Sequence, residues 1–542
     1  MTHIICLPLD DRPVNYDYPQ ILAQMAGMSM DLPPREWLGN PWRSSQHQDL
    51  IHWLEQAAAT VDVAILAIDT LAYGGLIPSR TSSESAADVL ARLELLKQLK
   101  AARPSLKILA SSVILRISRA NSAEEEKPYW ATYGSRMFRL SYLEHKSALE
   151  EASPAECNER DELRVQIPDD VYNDYLQGRS RNHTINRAML DWSAKGVFDY
   201  LLLPQDDTAD YGWNIAEARA LQGLIRAQNL SERAIIYPGA DEIGCLLLAR
   251  AVCQQAGFAP RIWPRYSSIQ GAFSVTAYED RPVHELLKAH LAPLNGSVAE
   301  SPEESNLLLF INAPAEGQGA ADLQWLIEEQ QNASTPHLMN EDEIFRQTRR
   351  EMTTPNRSPE EFVRAMRVAL NTNKPVALAD VAFVNGADLS LGRMLMKEDL
   401  APRLAAFGGW NTAGNTLGTV LAHSVIRALM LRKNITPDQQ TAHLTFLFLR
   451  YLDDYFYQTI VRTQTAYESL PALGLAPTFE RLPNEMVARV EAIIQNRLEP
   501  HISGLCNLFL QNGLAQDIQI TNIHLPWQRL FEIGFDVKVS LP

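Results

Sequence analysis

The chain has 542 residues, of which 46% are hydrophobic and 21% are charged, and its formal net charge is −16. This charge argues against a nucleic-acid-binding protein, because contacts with phosphate groups require clustered lysine and arginine side chains. No apolar run reaches the length of a membrane span, so a membrane protein is not expected. A neutral or cationic substrate fits the charge better than an anionic polymer.

The length exceeds that at which a single hydrophobic core usually stops growing, so we expect two domains. The chain passes from Met1 into an apolar strand without a basic segment or a long apolar segment, which indicates no secretory signal. The five cysteines are scattered without C-x-x-C spacing, which is typical of reduced thiols rather than of disulfides or a zinc site. These features predict a cytoplasmic protein.

Apolar segments with the length of strands alternate with amphipathic helices through most of the chain. A charged and aromatic insertion at about residues 118–180 interrupts this alternation. It is interpreted either as a lid or substrate wall, or as a helical decoration that only packs. Nine strands are predicted, at residues 4–9, 63–68, 108–115, 201–203, 234–237, 261–264, 307–311, 376–379 and 404–407.

The alternation predicts the α/β fold class. Our interpretation is a (β/α)8 TIM-barrel-like domain at residues 1–430, followed by an accessory region of helices and β-strands at residues 431–542. Two consecutive doubly wound sheets would accommodate the same strands. The sequence Asp-Arg-Pro-Val occurs at both 11–14 and 280–283. We interpret this repeat as helix-start chemistry, whereas a duplication would favour two related α/β halves.

Most of the predicted strands end in acidic or amide residues. Because the carboxyl ends of parallel strands point to one side, these side chains are expected to converge on a single mouth, as in many enzymes. The strand-end residues are Asp10, Asp11 and Arg12 after the first strand, Asp69 after the second, Asp206 and Asp207 after the fourth, Asp241 and Glu242 after the fifth, and Asn312, Asp380, Asn385, Trp410 and Asn411 after later strands.

The strongest single motif is the segment 204–214, which places the adjacent pair Asp206 and Asp207 directly after a strand. Two like charges this close raise one of the two pKa values, which gives a protonated acid beside an ionised base at neutral pH. Tyr211 and Trp213 supply flat apolar faces suited to stacking on a sugar ring. The alternative is that one of the two aspartates caps the following helix.

Paired carboxylates are the groups that glycoside hydrolysis requires. Adjacency favours a substrate-assisted mechanism, because neighbouring side chains reach the leaving oxygen and a 2-acetamido group of one sugar more easily than opposite faces of a glycosidic bond. The pair resembles the Asp-Asp pair after the fourth strand of the O-GlcNAcase-like β-N-acetylhexosaminidases, which are (β/α)8 barrels. The resemblance implies that Asp206 polarises the acetamide and that Asp207 is the general acid/base.

Two further segments are predicted to contact the substrate. Asp241 and Glu242 either bind hydroxyl groups and assist catalysis or cap the helix that begins near residue 243. The glycine-rich segment 407–418 lets the backbone approach a ligand and carries Trp410, Asn411 and Asn415. It lacks the sequence of a phosphate-binding loop, which favours a sugar-like ligand over a nucleotide.

The segment 8–15 reads Pro-Leu-Asp-Asp-Arg-Pro-Val-Asn. Together with the segments 69–76 and 385–388, it resembles an uncharacterised bacterial family filed as a domain of unknown function. The resemblance spans nearly the whole chain and implies that these segments belong to one site, but it implies no activity. It adds Tyr73 and Asp388 to the predicted substrate-binding residues. Arg12 is expected either to bind an anionic substrate group or to neutralise the aspartates beside it.

The sequence therefore predicts a glycoside hydrolase that acts on a small-molecule or oligosaccharide substrate through Asp206 and Asp207, without a cofactor. A Mg²⁺- or Mn²⁺-dependent hydrolase or lyase is an alternative, since Asp10, Asp69, Asp206 and Asp241 supply oxygen ligands. A zinc enzyme is not favoured, because the strand-end motifs contain no histidine. A non-catalytic carbohydrate-binding protein is the third alternative.

Overall fold

A computed structural model describes residues 2–332 and 342–542 of the chain. The chain divides into two compact units, the first formed by Met1–Tyr16 and Met28–Leu247 and the second by Asp17–Gly27 and Leu248–Pro542. The domain limits expected from the sequence lie at other residues and stay a prediction. Within the described ranges, no helix is long and apolar enough to cross a membrane.

The first unit is built on a sheet of six parallel strands. The strands are β1 (His3–Leu7), β2 (Ser29–Asp31), β3 (Val63–Ala67), β4 (Lys107–Ser111), β5 (Tyr200–Gln205) and β6 (Ala234–Pro238). Their order is β2-β1-β3-β4-β5-β6, which is the order of a doubly wound sheet with one added strand. In such sheets ligands bind at the carboxyl ends beside the point where the strand order reverses, here between β1 and β3.

Helices of the first unit form where apolar residues recur at helical spacing. In α2, for example, Leu50, Leu54 and Ala58 are buried on one face, and α5 begins at the cap Ser85, whose hydroxyl accepts a hydrogen bond from the Asp88 amide. The helices that contribute to this unit are α1 (Pro13–Met25), α2 (His47–Ala58), α3 (Ile68–Tyr73), α4 (Leu76–Thr81), α5 (Ala86–Leu93), α6 (Leu95–Ala102), α7 (Trp130–Ala148), α8 (Pro154–Gln166), α9 (Asp169–Ala194), α10 (Trp213–Ala227) and α11 (Ile243–Ala256).

The second unit contains a sheet of five parallel strands, a short parallel pair and an antiparallel pair. The strands are β7 (Arg261–Tyr266), β8 (Ser297–Val298), β9 (Leu307–Asn312), β10 (Gly319–Ala320), β11 (Val376–Asp380), β12 (Phe383–Val384), β13 (Ala406–Gly408), β14 (Asp517–His524) and β15 (Gly534–Ser540). The order in the main sheet is β13-β11-β9-β7-β8, and β14 pairs with β15. Every residue of β9 and β11 is buried, and all but the last residue of each strand are apolar, as expected for strands covered on both faces.

The helices of the second unit include α17, which is buried along nearly its whole length. Two segments, Tyr451–Val461 and Thr465–Ser469, adopt the wider π-helical hydrogen-bond pattern. The helices are α12 (Val283–Leu291), α13 (Ala321–Asn332), α14 (Glu343–Thr353), α15 (Pro359–Leu370), α16 (Leu389–Lys397), α17 (Ala413–Met430), α18 (Pro437–Arg450), α19 (Arg462–Gln464), α20 (Leu470–Ala472) and α21 (Asn484–Gln511).

The two main sheets share one topology. Counted within each main sheet, the second has the strand order 2-1-3-4-5, and the first has the same order with a sixth strand added beside the fifth. The two Asp-Arg-Pro-Val segments occupy equivalent places, since each follows the first strand of its sheet and leads into the helix before the second strand, α1 for the first sheet and α12 for the second. The shared order and the equivalent placement favour the duplication alternative over coincidence.

The prediction of an α/β fold with parallel strands is confirmed. Each of the nine predicted strands coincides with an observed strand, namely β1, β3 to β7, β9, β11 and β13. The predicted insertion at 118–180 consists largely of α7, α8 and the first part of α9. These nine strands lie in the two main sheets, and a closed (β/α)8 barrel stays a prediction.

The core of the first unit can be tested with two helical valines. Val89 on α5 is fully buried in the main core, whereas Val165 on α8 is 87% exposed. Val89→Ala should lower the free energy of unfolding by about 2 kcal/mol, because it removes buried methyl groups and leaves a cavity. Val165→Ala should leave it unchanged or slightly higher, since alanine favours a helix. Urea unfolding followed by tryptophan fluorescence measures the free energy of unfolding of both variants. Equal unfolding midpoints for the two variants would contradict the burial of Val89 in the core.

Candidate functional site

Aspartates from four strand ends converge at the carboxyl edge of the first sheet. Asp10 follows β1, Asp69 follows β3, Asp206 and Asp207 follow β5, and Asp241 follows β6. The charge of Asp206 contributes to raised pKa values at Asp69, Asp207 and Asp241, which places these carboxyl groups within electrostatic reach of one another. The predicted convergence of strand ends is therefore present in the first unit.

Arg12 links the end of β1 to the end of β6. Its Nη2 donates to Asp10 Oδ2 at 2.6 Å and to Asp241 Oδ1 at 2.5 Å. The other oxygen of Asp10 accepts hydrogen bonds from the Arg12 amide at 3.0 Å and from Asn15 Nδ2 at 2.9 Å. Of the two roles expected for Arg12, the geometry supports the ion pair that neutralises its neighbouring aspartates.

Two further arginines hold the pair after β5. Arg80, from α4, donates to Asp206 Oδ2 at 2.6 Å and to Glu125 Oε2 at 2.8 Å. Arg116 donates to the same oxygen of Glu125 at 3.0 Å and to Asp207 Oδ2 at 3.3 Å. Each aspartate of the pair therefore has its own guanidinium partner, and Glu125 joins the two arginines.

Asp207 differs from Asp206 in its environment. Burial raises the pKa of Asp207 to about 6, with Arg116 opposing the rise and Asp206 adding to it. Its backbone is left-handed, with φ of 50°, which is uncommon for an aspartate and is often found at functional sites. Both side chains keep some access to solvent, 13% for Asp206 and 23% for Asp207. The pair thus offers a proton donor beside a carboxylate held by arginine.

Asp69 and Asp241 also have raised pKa values. Burial raises the pKa of Asp69 to about 7, although the Val113 amide donates to its Oδ2 at 2.9 Å. Burial raises the pKa of Asp241 to about 7 as well, with Arg12 opposing. The turn after β3 is fixed to the segment after β1, because Thr70 Oγ1 donates to the carbonyl oxygen of Pro8 at 2.6 Å. Three of the strand-end aspartates, Asp69, Asp207 and Asp241, therefore have pKa values raised to about 6 or 7.

Three predicted residues of the first unit make other contacts. Asp11 accepts hydrogen bonds from Arg43 Nη2 at 2.9 Å and from Asn40 Nδ2 at 3.2 Å. Buried Glu242 accepts a hydrogen bond from the Tyr237 hydroxyl at 2.7 Å. Tyr73 lies under the guanidinium of Arg181, 4.8 Å from the ring centre.

Tyr211 and Trp213 pack on the helices of the insertion. The Tyr211 hydroxyl donates to Glu151, and its ring packs edge-on against Tyr142. The indole nitrogen of Trp213 donates to Glu144 Oε2 at 2.9 Å, and its ring lies against Tyr172. Both rings are engaged by protein groups, so a stacking role toward a sugar stays a prediction.

The remaining predicted residues lie in the second unit. Asp388 caps α16 by accepting from the amides of Ser390 and Leu391, and it forms a buried ion pair with Arg357. Asn312, at the end of β9, donates to Asp380 Oδ1 at 2.9 Å. Burial raises the pKa of Asp380 to about 7, with the charge of Asp388 adding to the rise. This cluster has the composition of a structural ion-pair network.

The glycine-rich segment forms a capped turn into α17. Trp410 is buried, with 3% of its surface exposed. Asn385 and Asn411 are both left-handed, and the Asn385 amide donates to the Asn411 carbonyl at 3.0 Å. The amide of Asn415 donates to the Thr412 hydroxyl that caps α17. The Asn415 contact therefore belongs to the cap of α17, and substrate binding by these residues stays a prediction.

Sequence reasoning missed the arginines and glutamates that complete the site of the first unit. Arg116 follows directly after the predicted strand 108–115, so the strand-end rule itself could have identified it. Arg80, Glu125 and Glu126 lie on α4 and in the insertion, and no local pattern marks them. Among the described residues, no three Cys, His, Asp or Glu side chains are grouped as metal ligands.

A family model described as a protein of unknown function (DUF4127) matches residues 4–536 of the chain. No curated protein and no solved structure matches it. The match is consistent with the predicted resemblance to an uncharacterised family that spans nearly the whole chain. The resemblance of Asp206 and Asp207 to the β-N-acetylhexosaminidase pair stays a prediction.

The raised pKa of Asp69 predicts a pH dependence of stability. The folded protein holds this proton up to about pH 7, whereas the unfolded chain releases it near the ordinary aspartate pKa of 3.8. The unfolded state therefore binds fewer protons in this window, and this aspartate makes stability fall as pH rises from about 4 to 7, by at most about 1.4 kcal/mol per pH unit. Asp69→Asn should remove this slope, because the amide oxygen still accepts the Val113 amide.

Urea unfolding of the wild type and of Asp69→Asn at several pH values between 5 and 8 would measure the difference. The free energy of unfolding of Asp69→Asn should increase relative to that of the wild type as pH rises to about 7. Above pH 7 the difference between the two should stay constant. Asp170→Asn, at an exposed position in the first turn of α9, is the matched control. Parallel curves for the wild type and Asp69→Asn would show that Asp69 titrates normally.

Proposed function

The chain belongs to the DUF4127 family, and we propose that its first unit is a glycoside hydrolase in which Asp206 and Asp207 carry the chemistry. The observation that supports this most is the unequal pair after β5. Asp207 is a partly accessible carboxyl group whose pKa is raised to about 6, and Asp206 beside it is paired with Arg80. Two neighbouring carboxyl groups in different environments are suited to different roles in acid–base catalysis.

Asp207 is the proposed general acid and base. In its protonated form it donates its proton to the leaving glycosidic oxygen as the bond to the anomeric carbon breaks. Its pKa of about 6 keeps part of the population protonated near neutral pH. In the second half of the reaction, the carboxylate accepts a proton from the attacking water, which restores the acid.

Asp206 is proposed to act on the substrate rather than on the leaving group. The two residues are adjacent in the chain, so their side chains address one side of a sugar more easily than opposite faces of the bond. In a 2-acetamido sugar, Asp206 would accept a hydrogen bond from the acetamide nitrogen, and the acetamide oxygen would attack the anomeric carbon. The ion pair with Arg80 fixes the orientation of this carboxylate.

The charge around the pair favours an uncharged substrate rich in hydroxyl groups. Three guanidinium groups face seven carboxyl groups there, and each guanidinium is already paired within the protein. Carboxylates accept hydrogen bonds from hydroxyl and amide donors, which sugars supply in number. The seven carboxyl groups are Asp10, Asp69, Asp206, Asp207, Asp241, Glu125 and Glu126.

The guanidinium partners also bear on the metal-dependent alternative. Asp10, Asp206 and Asp241 each bind an arginine through an oxygen that a divalent cation would otherwise take. This arrangement favours proton chemistry by the pair over metal binding by the same aspartates. The proposal does not require the closed barrel predicted for residues 1–430, because Asp206 and Asp207 both follow β5 of the first sheet.

Asp207→Asn should abolish most of the glycosidase activity. The amide cannot donate an acidic proton, so kcat should fall by at least about 100-fold on aryl N-acetylhexosaminides and related aryl glycosides. Release of the fluorophore or chromophore measures the rate, with and without EDTA. Asp210→Asn, at an exposed position in the same segment, is the matched control and should keep the wild-type rate.

Full activity of Asp207→Asn would overturn the assignment of the general acid. Loss of wild-type activity in EDTA and its recovery with Mg²⁺ or Mn²⁺ would replace the proposal with the metal-dependent enzyme. Binding of sugars without hydrolysis by the folded wild type would favour the non-catalytic carbohydrate-binding protein.

The pH dependence of kcat/KM gives an independent test of the same role. Because the protonated form of Asp207 is the reactive one, kcat/KM should fall above about pH 6, by about tenfold per pH unit once the group is ionised. A good aryl leaving group needs less protonation, so this alkaline decline should be weaker for nitrophenyl than for alkyl glycosides. An identical profile for both leaving groups would contradict proton donation by Asp207.

A further inference from the structure

A cavity of about 310 Å³ lies at the amino-terminal edge of the main sheet in the second unit. It is lined by Val376, the first residue of β11, by Ala405, directly before β13, and by residues of α17 and α18. The volume is within the range of small-molecule sites. Val376 and Asp380 lie four residues apart along β11, which corresponds to about 13 Å, so the cavity is separate from Asp380 at the carboxyl end of that strand.

The charged groups that line this cavity are all basic. Lys374, Arg403 and Arg427 contribute to the lining, and none of the described lining residues is an aspartate or glutamate. The chain as a whole has the opposite balance, with 65 acidic and 49 basic residues. A basic cavity in an acidic protein is therefore a local feature that the overall charge does not explain.

Arg427 is the most informative of the three. It is half-buried, and the one hydrogen bond of its side chain among the described residues runs from Nη1 to Gln440 Oε1 at 2.8 Å. Burial lowers the pKa of Arg427 to about 10, and no carboxylate opposes this shift. Two buried arginines of this unit, Arg357 and Arg450, are instead paired with acids. A charge held away from water without a counterion gains from binding an anion.

Arg403 supplies a second guanidinium group at the cavity. It is exposed and donates to the carbonyl oxygen of Leu370 at 3.3 Å and to Asn371 Oδ1 at 3.1 Å, both neutral acceptors. Lys374 has a structural role instead, because its ammonium donates to the carbonyl oxygens of Pro302 and Ser305, and to a third carbonyl between them. The two arginines, whose planar groups match carboxylate and phosphate oxygens, are the groups suited to a ligand.

The rest of the lining is mostly apolar and uncharged. His443 forms a hydrogen-bonded pair with His423 at 3.0 Å, and burial lowers the pKa of both well below the ordinary value, so the pair is neutral. A ligand of this cavity would therefore contact both a cationic and an apolar surface. The apolar side chains include Leu370, Pro402, Leu404, Leu431, Leu444 and Leu514.

We propose that this cavity binds a small organic anion, with its carboxylate or phosphate group on Arg427 and Arg403 and a short apolar body against the leucines. The site is distinct from the aspartates of the first unit and does not depend on the function proposed for them. Its ligand differs in class from a neutral sugar, because it must carry both an anionic group and apolar surface.

Titration calorimetry of the full chain tests the proposal with four probes: hexanoate, hexyl phosphate, hexanol and inorganic phosphate. Hexanoate or hexyl phosphate should bind, and the better of the two identifies the anionic group. Hexanol and inorganic phosphate should each bind at least about tenfold more weakly, because each lacks one of the two required features. Equal binding of hexanol and hexanoate would overturn the proposal, as would no binding of either hexyl anion at millimolar concentration.

Variants locate the binding. Arg427→Gln should weaken binding of the hexyl anion at least about tenfold, because it removes a charged donor. Arg403→Gln, at an exposed position, should weaken it without affecting the fold and so keeps the test valid if Arg427→Gln fails to fold. Lys433→Gln, an exposed position just beyond α17, is the matched control and should bind as the wild type does. Wild-type affinity in both arginine variants would place the anion elsewhere and overturn the proposal.

Discussion

The burial of carboxyl groups at the carboxyl edge of the first sheet is the constraint on which the candidate site depends. A carboxylate removed from water is costly unless a cation or several hydrogen bonds compensate for it. Arg12 compensates Asp10 and Asp241, and Arg80 compensates Asp206 together with Glu125. Each guanidinium joins segments that are far apart in the chain, so the same contacts hold the aspartates and fix the strand ends relative to one another.

The network also makes chemically identical residues unequal. Asp10 is enclosed by donors from Arg12 and Asn15, whereas burial leaves Asp69, Asp207 and Asp241 with pKa values raised to about 6 or 7. Of these three acids, Asp207 has the largest remaining access to solvent and a strained backbone. Environment rather than residue type therefore singles out the group proposed as the proton donor.

The second unit repeats the topology of the first sheet and the same way of compensating buried acids. Arg357 pairs with Asp388 and Glu351, and Arg450 pairs with Asp454. Here the acids cap helices or hold backbone amides, so the contacts stabilise the fold without leaving an accessible proton donor. The cavity at the opposite edge of that sheet has the reverse composition, with arginines and no acid among its described lining residues. The contrast between the two edges is what indicates an anionic ligand.

The sequence alone determined the positions of the strands and the presence of acidic residues at their ends. Apolar runs bounded by polar residues are local patterns, and all nine predicted strands are present. The sequence could not show that the strands form two sheets, because the choice of hydrogen-bond partners is made between segments far apart in the chain. It also missed Arg80 and Glu125, which lie outside the strand-end motifs and reach Asp206 only through tertiary packing. The tertiary structure decided which aspartates have raised pKa values, because a pKa depends on burial and on neighbouring charges that no local pattern records.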